Sequence, residues 1–473
     1  MRLLPIAAAF AAFASAAAAQ PAPGHGPEIA YPAGDIAFTH VEVVDGTGAA
    51  PARDMTVVLH GQRIAAVGPA RKVKAPKGAT VIDGKGRTLL PGFVMVHEHY
   101  FYPSPKPGQY EEYPYSFSRL YLAGGTTTLR TAGSMAPYGD LNTARDIADG
   151  RQPGPDMDVT GPYLEGATLL SDKMAMMRDP AEVTRTVDYW ASEGVTSFKA
   201  YNYLTRPELK AAIDAAHAHG LKITGHLCSI TYREAAEMGI DNLEHSFAVA
   251  TDFVKDKQPD VCPTSAQTLD SLNALDPDGP EVGALMRLLI AHHVALTSTL
   301  TVFETFTAGR PKAPDAALAL LTPELRQAYE TTWAKVQASP RGHEYAEIFP
   351  KLMRMEKRFH DMGGVLLAGT DPTGYGGVIP GFSGKRELEL LVEEGLSFPQ
   401  ALEVATLNGA KYLRRDRDVG SIAPGKRADL LLVDGDPAVD VRAIEHMPVV
   451  FKAGVGYRTQ AFFDELKGAI GLY

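Results

Sequence analysis

The sequence predicts an α/β protein, a (β/α)8 TIM barrel accompanied by a small composite β-sandwich domain made from the N- and C-terminal flanks. Three observations carry this prediction. Eight short apolar runs, GFVMVHEH, TTTLRTAG, MDVTG, VTSFKAY, LKITGH, DNLEH, VALTSTL and VLLAGTD, alternate with helical segments, the pattern of repeated β/α units around a parallel sheet. Five of them end in a residue able to bind a metal ion, and catalytic residues of such barrels sit at the carboxyl ends of the strands. Outside this region the text changes to alternating strands and tight turns.

In chain order, residues 1–20, MRLLPIAAAFAAFASAAAAQ, join Arg2 to an apolar stretch and an Ala-x-Ala site near Ala17, which reads as a secretory signal peptide. Residues 21–89 follow as the N-terminal part of the β domain: FTHVEVVDGTG, DMTVVLHGQRIAAVG and ATVIDGKGRTLL alternate apolar and polar residues between Asp-Gly, His-Gly and Gly-Lys-Gly turns. The barrel is expected over 90–418, its last helical stretch stopping around Tyr412 to Arg414. Residues 419–473, with ADLLLVDGDPAVD and VVFKAGVGYRT, are expected to complete the β domain.

Composition narrows the function. The 473 residues are 45% hydrophobic and 22% charged, an ordinary globular balance with room for a large core. A net charge of -10 without any Lys/Arg-rich stripe repels phosphate backbones, so nucleic acid is excluded as a partner and a small-molecule substrate is expected. No later run reaches the roughly 20 apolar residues of a spanning helix. The expected location is secreted or periplasmic, with no membrane anchor after processing, and a homo-oligomer is compatible with the sequence. Cys228 and Cys262 either pair or stay as two buried thiols.

The chemistry lies at the strand ends: His97 and His99 on the first, Lys199 on the fourth, His226 on the fifth, His245 on the sixth and Asp371 on the eighth. His97 and His99 are two apart, so both leave the same face of an extended strand while Glu98 points away. Imidazole and carboxylate suit Zn²⁺ and related ions. A protonated Lys199 has no lone pair, which leaves it as a counter-charge, a substrate contact or a modified side chain, since a neutral lysine amine takes up CO₂ to form an anionic carbamate. Around this site Arg130 could hold a substrate carboxylate or sit in an internal salt bridge, and Tyr201 and Tyr232 could touch the substrate. The segment YFYPSPKPGQYEEYPYSF, with five tyrosines, is placed over the mouth as a lid or as loop packing. His217, His219, His292 and His293 close helices ahead of strands and are assigned to the stability face.

The motifs LLPGFVMVHEH, FKAY, TGHLCSITYREA, DNLEH and LLAGTD, followed by ELELLVEEGLSFPQALEVATLNGAKYL and GSIAPGKRADLLLVDGDP, resemble the amidohydrolase superfamily over almost the whole mature chain, in particular its imidazolonepropionase-like and secreted Xaa-Pro-type dipeptidase branch. The resemblance implies two divalent ions, most simply Zn²⁺: His97, His99 and Asp371 on one, His226 and His245 on the other, with a carbamylated Lys199 (N6-carboxylysine) and a hydroxide bridging them. It implies that Asp371 moves the proton during hydrolysis. Lys199 points to the dipeptidase side, and Ser229, three residues after His226 where deaminases of the superfamily carry glutamate, points away from deamination. The function expected is metal-dependent cleavage of an amide bond in a dipeptide or N-acyl amino acid. The alternatives are hydrolysis of a cyclic amide or lactone, and an inactive exported binding protein of the same fold.

Overall fold

All eight anticipated barrel strands form: Phe93–Glu98 (β1), Thr126–Thr131 (β2), Thr160–Glu165 (β3), Ser197–Ala200 (β4), Lys222–Gly225 (β5), Asn242–Glu244 (β6), Ala295–Ser298 (β7) and Leu366–Ala368 (β8). The structure is a computed structural model that describes residue 26 and residues 28–473 apart from 107, 170 and 172; the expected leader lies outside the described residues. Every residue of β1, β2, β3, β4, β6, β7 and β8 is buried. Parallel strands covered on both faces leave no polar side to alternate with, and the apolar runs follow from that.

Pairing is parallel from β3 through β8, with β1 beside β2. The third strand is divided: Asp156–Asp158 pairs with β2, and β3 pairs with β4. Thr160 bridges the break, its backbone N–H donating to Thr131 Oγ1 at 2.9 Å and its hydroxyl to the Thr131 carbonyl. At the other seam the backbone N–H groups of Thr370 and Asp371 both donate to the His97 carbonyl at 3.0 Å, so the end of β8 lies against β1.

The helices between strands start and stop on signals in the text. Asp179 caps helix Pro180–Glu193 through the Glu182 N–H, and Gly194 ends it at φ 101°. Thr205 with Glu208, and Thr231 with Glu234, form capping boxes on helices Arg206–Ala218 and Tyr232–Met238. After β7 the chain inserts four helices, Leu300–Thr305, Asp315–Leu318, Pro323–Ala338 and Pro340–Asp361, before returning to β8.

The flanks share one nine-stranded sheet. Strand Leu430–Asp434 pairs antiparallel with Arg87–Pro91, which joins the C-terminal strands to the N-terminal ones. The sheet curls over a core that includes Phe38, Val57, Leu59, Leu430 and Phe451, and its edge strand Arg63–Pro69 is held to the segment leading into Leu430–Asp434, where Ile64 N–H donates to Lys426 O at 2.9 Å and Ala428 N–H to Gln62 O at 2.8 Å. The C-terminal expectation needs one correction. Helix Thr459–Glu465 and the tail after it leave the sheet and pack on the barrel: Phe462, Leu466, Ala469 and Ile470 join the barrel's core, and Thr322 N–H donates to Ile470 O. Their spacing makes an apolar stripe on one side of the chain, and the barrel offers it an apolar face to pack on.

Cys228 and Cys262 form a disulfide, Cα atoms 4.8 Å apart, which ties the loop after β5 to the loop after β6. Among the described residues no helix is long and apolar enough to cross a membrane.

Candidate metal centre

Strand alternation places His97 and His99 on one face of β1, but it does not account for β6. Its last residue, Glu244, turns into the barrel beneath the mouth, and the next, His245, turns inward to the mouth as well, where alternation would separate them. His245 and Ser246 take left-handed φ values of 64° and 48°, which breaks the alternation and swings the imidazole back over the mouth. Asp371 is turned inward in the same way, at φ 49°. Gly369 lets β8 come this close: a Cβ there would lie 2.2 Å from the Cβ of His97.

The six strand-end residues His97, His99, Lys199, His226, His245 and Asp371 line one cavity of about 70 Å³. Asp371 Oδ1 is 3.3 Å from His99 Nε2 and 3.7 Å from His97 Nε2, and Oδ2 is 3.9 Å from His245 Nε2. The rings of His226 and His245 are 4.5 Å apart. The tightest set is His97, His245 and Asp371, whose ligand atoms all lie within 4.8 Å of one another. It draws on both of the groups that the resemblance implies, because the left-handed turn brings His245 to within 3.9 Å of Asp371, little farther than the first-strand histidines.

Three of the imidazoles are oriented by their Nδ1 atoms. His97 Nδ1 meets Glu244 Oε2 at 2.7 Å, His99 Nδ1 meets the Gly133 carbonyl at 3.2 Å, and His245 Nδ1 meets Thr299 Oγ1 at 2.8 Å. Nε2 of each is thereby turned to the mouth, the usual arrangement of metal-binding histidines. His97 Nε2 is buried without a hydrogen-bond partner, and an orphaned buried nitrogen is costly unless a ligand completes it. Burial pushes His99 down to about 4 and His226 to about 3, so both rings keep a free lone pair at neutral pH. This donor set fits a divalent ion of the zinc type.

Lys199 is 1% exposed. Its Nζ lies 5.6 and 5.8 Å from the ring centres of Tyr163 and Tyr201, and burial pushes it down to about 8, with Arg130 adding to the shift and Glu244 and Asp371 opposing it. The rest of the wall is Phe101, Tyr110, Met135, Tyr163, Ser171, Met174, Tyr201 and Thr373. Burial raises Tyr163 and Tyr201 far above the ordinary phenol value, so both hydroxyls remain donors.

Two expected substrate contacts are placed elsewhere. Arg130 is wholly buried beneath the cavity, its Nε donating to Val96 O at 2.7 Å and its Nη2 to Glu244 Oε1; of the two roles the sequence left open, it takes the internal ion pair. Tyr232 is also wholly buried, and its hydroxyl donates to the carbonyls of Glu244 and Ser246 at 3.1 and 2.6 Å, so it braces the turn at His245. Tyr201 does line the cavity. The tyrosine-rich segment forms a hairpin, Phe101–Pro103 against Tyr110–Glu112; Phe101 and Tyr110 reach the cavity, while Tyr100, Tyr102 and Tyr113 are buried as packing. His217 and His219 pair with Asp241 and Asp188, away from the site. Glu98 is buried and accepts from Thr370 Oγ1 at 2.6 Å.

The wall residues Tyr163, Met135 and Met174 and the anchor Glu244 were not singled out in the sequence. Tyr163 lies on the third strand, to which the sequence reading assigned no ligand, and Glu244 is hidden by the more conspicuous His245. A larger cavity of about 980 Å³ lies on the barrel flank, walled in part by Tyr329, Trp333, Phe382 and Phe463; it contains none of the strand-end ligands.

A barrel with imidazoles and a carboxylate gathered at one mouth has the architecture of a hydrolase scaffold, and residues 88–465 match the amidohydrolase family, to which the chain belongs. Among its relatives, imidazolonepropionase of Streptomyces avermitilis is 24% identical over 434 residues, covering 85% of this chain and 84% of that one. A solved Xaa-Pro dipeptidase with methionine in its active site superposes with a TM-score of 0.66 at 18% identity, over 90% of this chain and 100% of the other. Bottromycin amidohydrolase gives 0.68 at 20% identity, over 91% and 88%. The two structural likenesses establish the fold.

Proposed function

We propose that the protein is a metal-dependent hydrolase of an amide bond in a dipeptide or N-acyl amino acid. The observation that carries the reading is the convergence of His97, His99, His226, His245, Lys199 and Asp371 on one cavity at the carboxyl end of the barrel. The kinship with imidazolonepropionase and the likeness to an Xaa-Pro dipeptidase agree with carbon–nitrogen cleavage. The four histidines and Asp371 would hold two divalent ions, zinc by donor type, with Lys199 between them as a carbamate. A buried lysine amine held near 8 carries the neutral fraction that reacts with CO₂. When bound, such ions supply Lewis acidity and lower the pKa of a water.

The chain's own groups then divide the work. Asp371, beside three imidazoles, accepts the proton released as water attacks and delivers it to the departing amine. The hydroxyls of Tyr163 and Tyr201 stay protonated and donate toward the carbonyl oxygen. Phe101, Tyr110, Met135 and Met174 pack an apolar or aromatic group beside the scissile bond and exclude water. Export to an oxidising compartment is part of this proposal; the leader expected from residues 1–20 and the Cys228–Cys262 disulfide are in keeping with it.

Metal analysis combined with a hydrolysis screen tests the proposal. Bound divalent metal and turnover of an apolar dipeptide or N-acyl amino acid are expected. Turnover of lactams or lactones alone would move the assignment to the ring-opening alternative, and tight metal binding without turnover of any of these would favour a binding protein.

A further inference from the structure

The carboxylate beneath the mouth gives His97 a setting that neither His99 nor His245 has. Their Nδ1 atoms meet a backbone carbonyl and a threonine hydroxyl, both neutral, whereas that of His97 meets Glu244. Glu244 is completely buried, and both of its oxygens are engaged. Oε2 takes His97, while Oε1 takes Arg130 Nη2 and, at 2.7 Å, Thr224 Oγ1. Arg130 in turn holds the carbonyl of Val96, the residue before His97. The ring and the backbone of His97 are therefore fixed by one network that joins β1, β2, β5 and β6.

Resting on the metal-centre reading above, we propose that Glu244 is the positioning residue of His97: it fixes the Nδ1–H tautomer and aims the bare Nε2 at the metal. A carboxylate acceptor behind a histidine raises the basicity of the opposite nitrogen more than a neutral acceptor does. Arg130 faces the other carboxylate oxygen of Glu244 as its buried counter-charge and so holds the carboxylate in place behind His97. The orphaned Nε2 of His97 is the nitrogen this arrangement prepares.

The test compares chelator-stripped parent protein, Glu244→Gln, and the double variant Arg130→Met/Glu244→Gln, the last because Gln alone leaves Arg130 with an uncompensated charge. Each is titrated with Co²⁺, followed by its visible absorption, and with Zn²⁺ in competition with a chelator; circular dichroism monitors the fold. Glu244→Gln is expected to weaken metal binding about 10- to 100-fold and to change the Co²⁺ spectrum, and the loss is expected to persist in the double variant. Unchanged affinity and spectrum in Glu244→Gln, or full recovery in the double variant, overturns the proposal. On the parent itself, ¹⁵N-histidine NMR of the metal-free protein, with His97 identified from His97→Asn, is expected to show the proton on Nδ1; a proton on Nε2 overturns it regardless of how the variants fold. Should the parent bind no divalent ion, the metal-centre reading fails instead, a result distinct from a variant that matches a metal-binding parent.

Discussion

Gly369 carries no chemistry, yet the site depends on its having no side chain. A methyl group there would collide with the Cβ of His97 at 2.2 Å and with that residue's backbone at 2.8 Å, and backbone does not yield as a flexible side chain does. Gly369→Ala is therefore expected to cost about 1–3 kcal/mol of stability, as overpacked cores do, and to lower metal content, read by a denaturant melt and metal analysis; parental values for both would show that the seam has slack. Lys199 gives the second prediction at this scale. Lys199→Ala should lose most activity and one metal equivalent, with partial recovery when bicarbonate or a short-chain acid is added. Unchanged rate and metal content would remove the bridge from the mechanism.

The hairpin over the cavity and the disulfide are the elements whose behaviour follows from their surroundings. Glu112, at the base of the hairpin, lies near Asp140 on helix Pro137–Ala148. Burial, with Glu112 adding to it, pushes the Asp140 carboxyl from 3.8 up to about 8, and burial pushes Glu112 from 4.5 up to about 7. A carboxyl raised in the folded state contributes its stability fully below its unfolded value and loses it as pH rises through the folded one. The contribution of this pair to stability should therefore fall between pH 4 and 8, and the melting temperature of Asp140→Asn should drop less than the parent's over that range; a pH profile identical to the parent's would count against it. The disulfide closes a loop across a separation of 34 residues, for which chain entropy gives about 3–4 kcal/mol. Reductant should lower the denaturation midpoint of the parent and leave that of Cys228→Ser/Cys262→Ser unchanged.

At the scale of the whole molecule, the C-terminal stretch is part of the barrel. Deleting residues 459–473 removes Phe462, Leu466, Ala469 and Ile470 from the core, and the expected outcome is poor solubility or a melting temperature well below that of the full chain. An intact melt would show the stretch to be dispensable. Bound metal stabilises only the folded chain, so chelation should lower the melting temperature and re-addition of zinc restore it.

The sequence by itself determined the eight strands, the mixing of the two flanks in one β domain, and the strand-end residues that meet at the mouth, because each leaves a local signature: an apolar run, a turn dipeptide, a histidine or aspartate where a strand stops. Its reading of Tyr201 also coincides with a residue of the cavity wall. Only the tertiary structure decided the rest. Arg130 had two plausible partners, and which one it took depended on Glu244, distant in the chain and near in space. Tyr232 braces a left-handed turn that no periodicity announces, and the same turn places His245 with His97 and Asp371. The tail after Arg458 reads as an amphipathic stretch in any setting; the flank of the barrel determined where it packs. Cys228 and Cys262 were two thiols of unknown distance until the loops after β5 and β6 were laid side by side. Local patterns report what a residue prefers, whereas pairing, orientation and burial are relations between segments, and these are settled when the chain closes on itself.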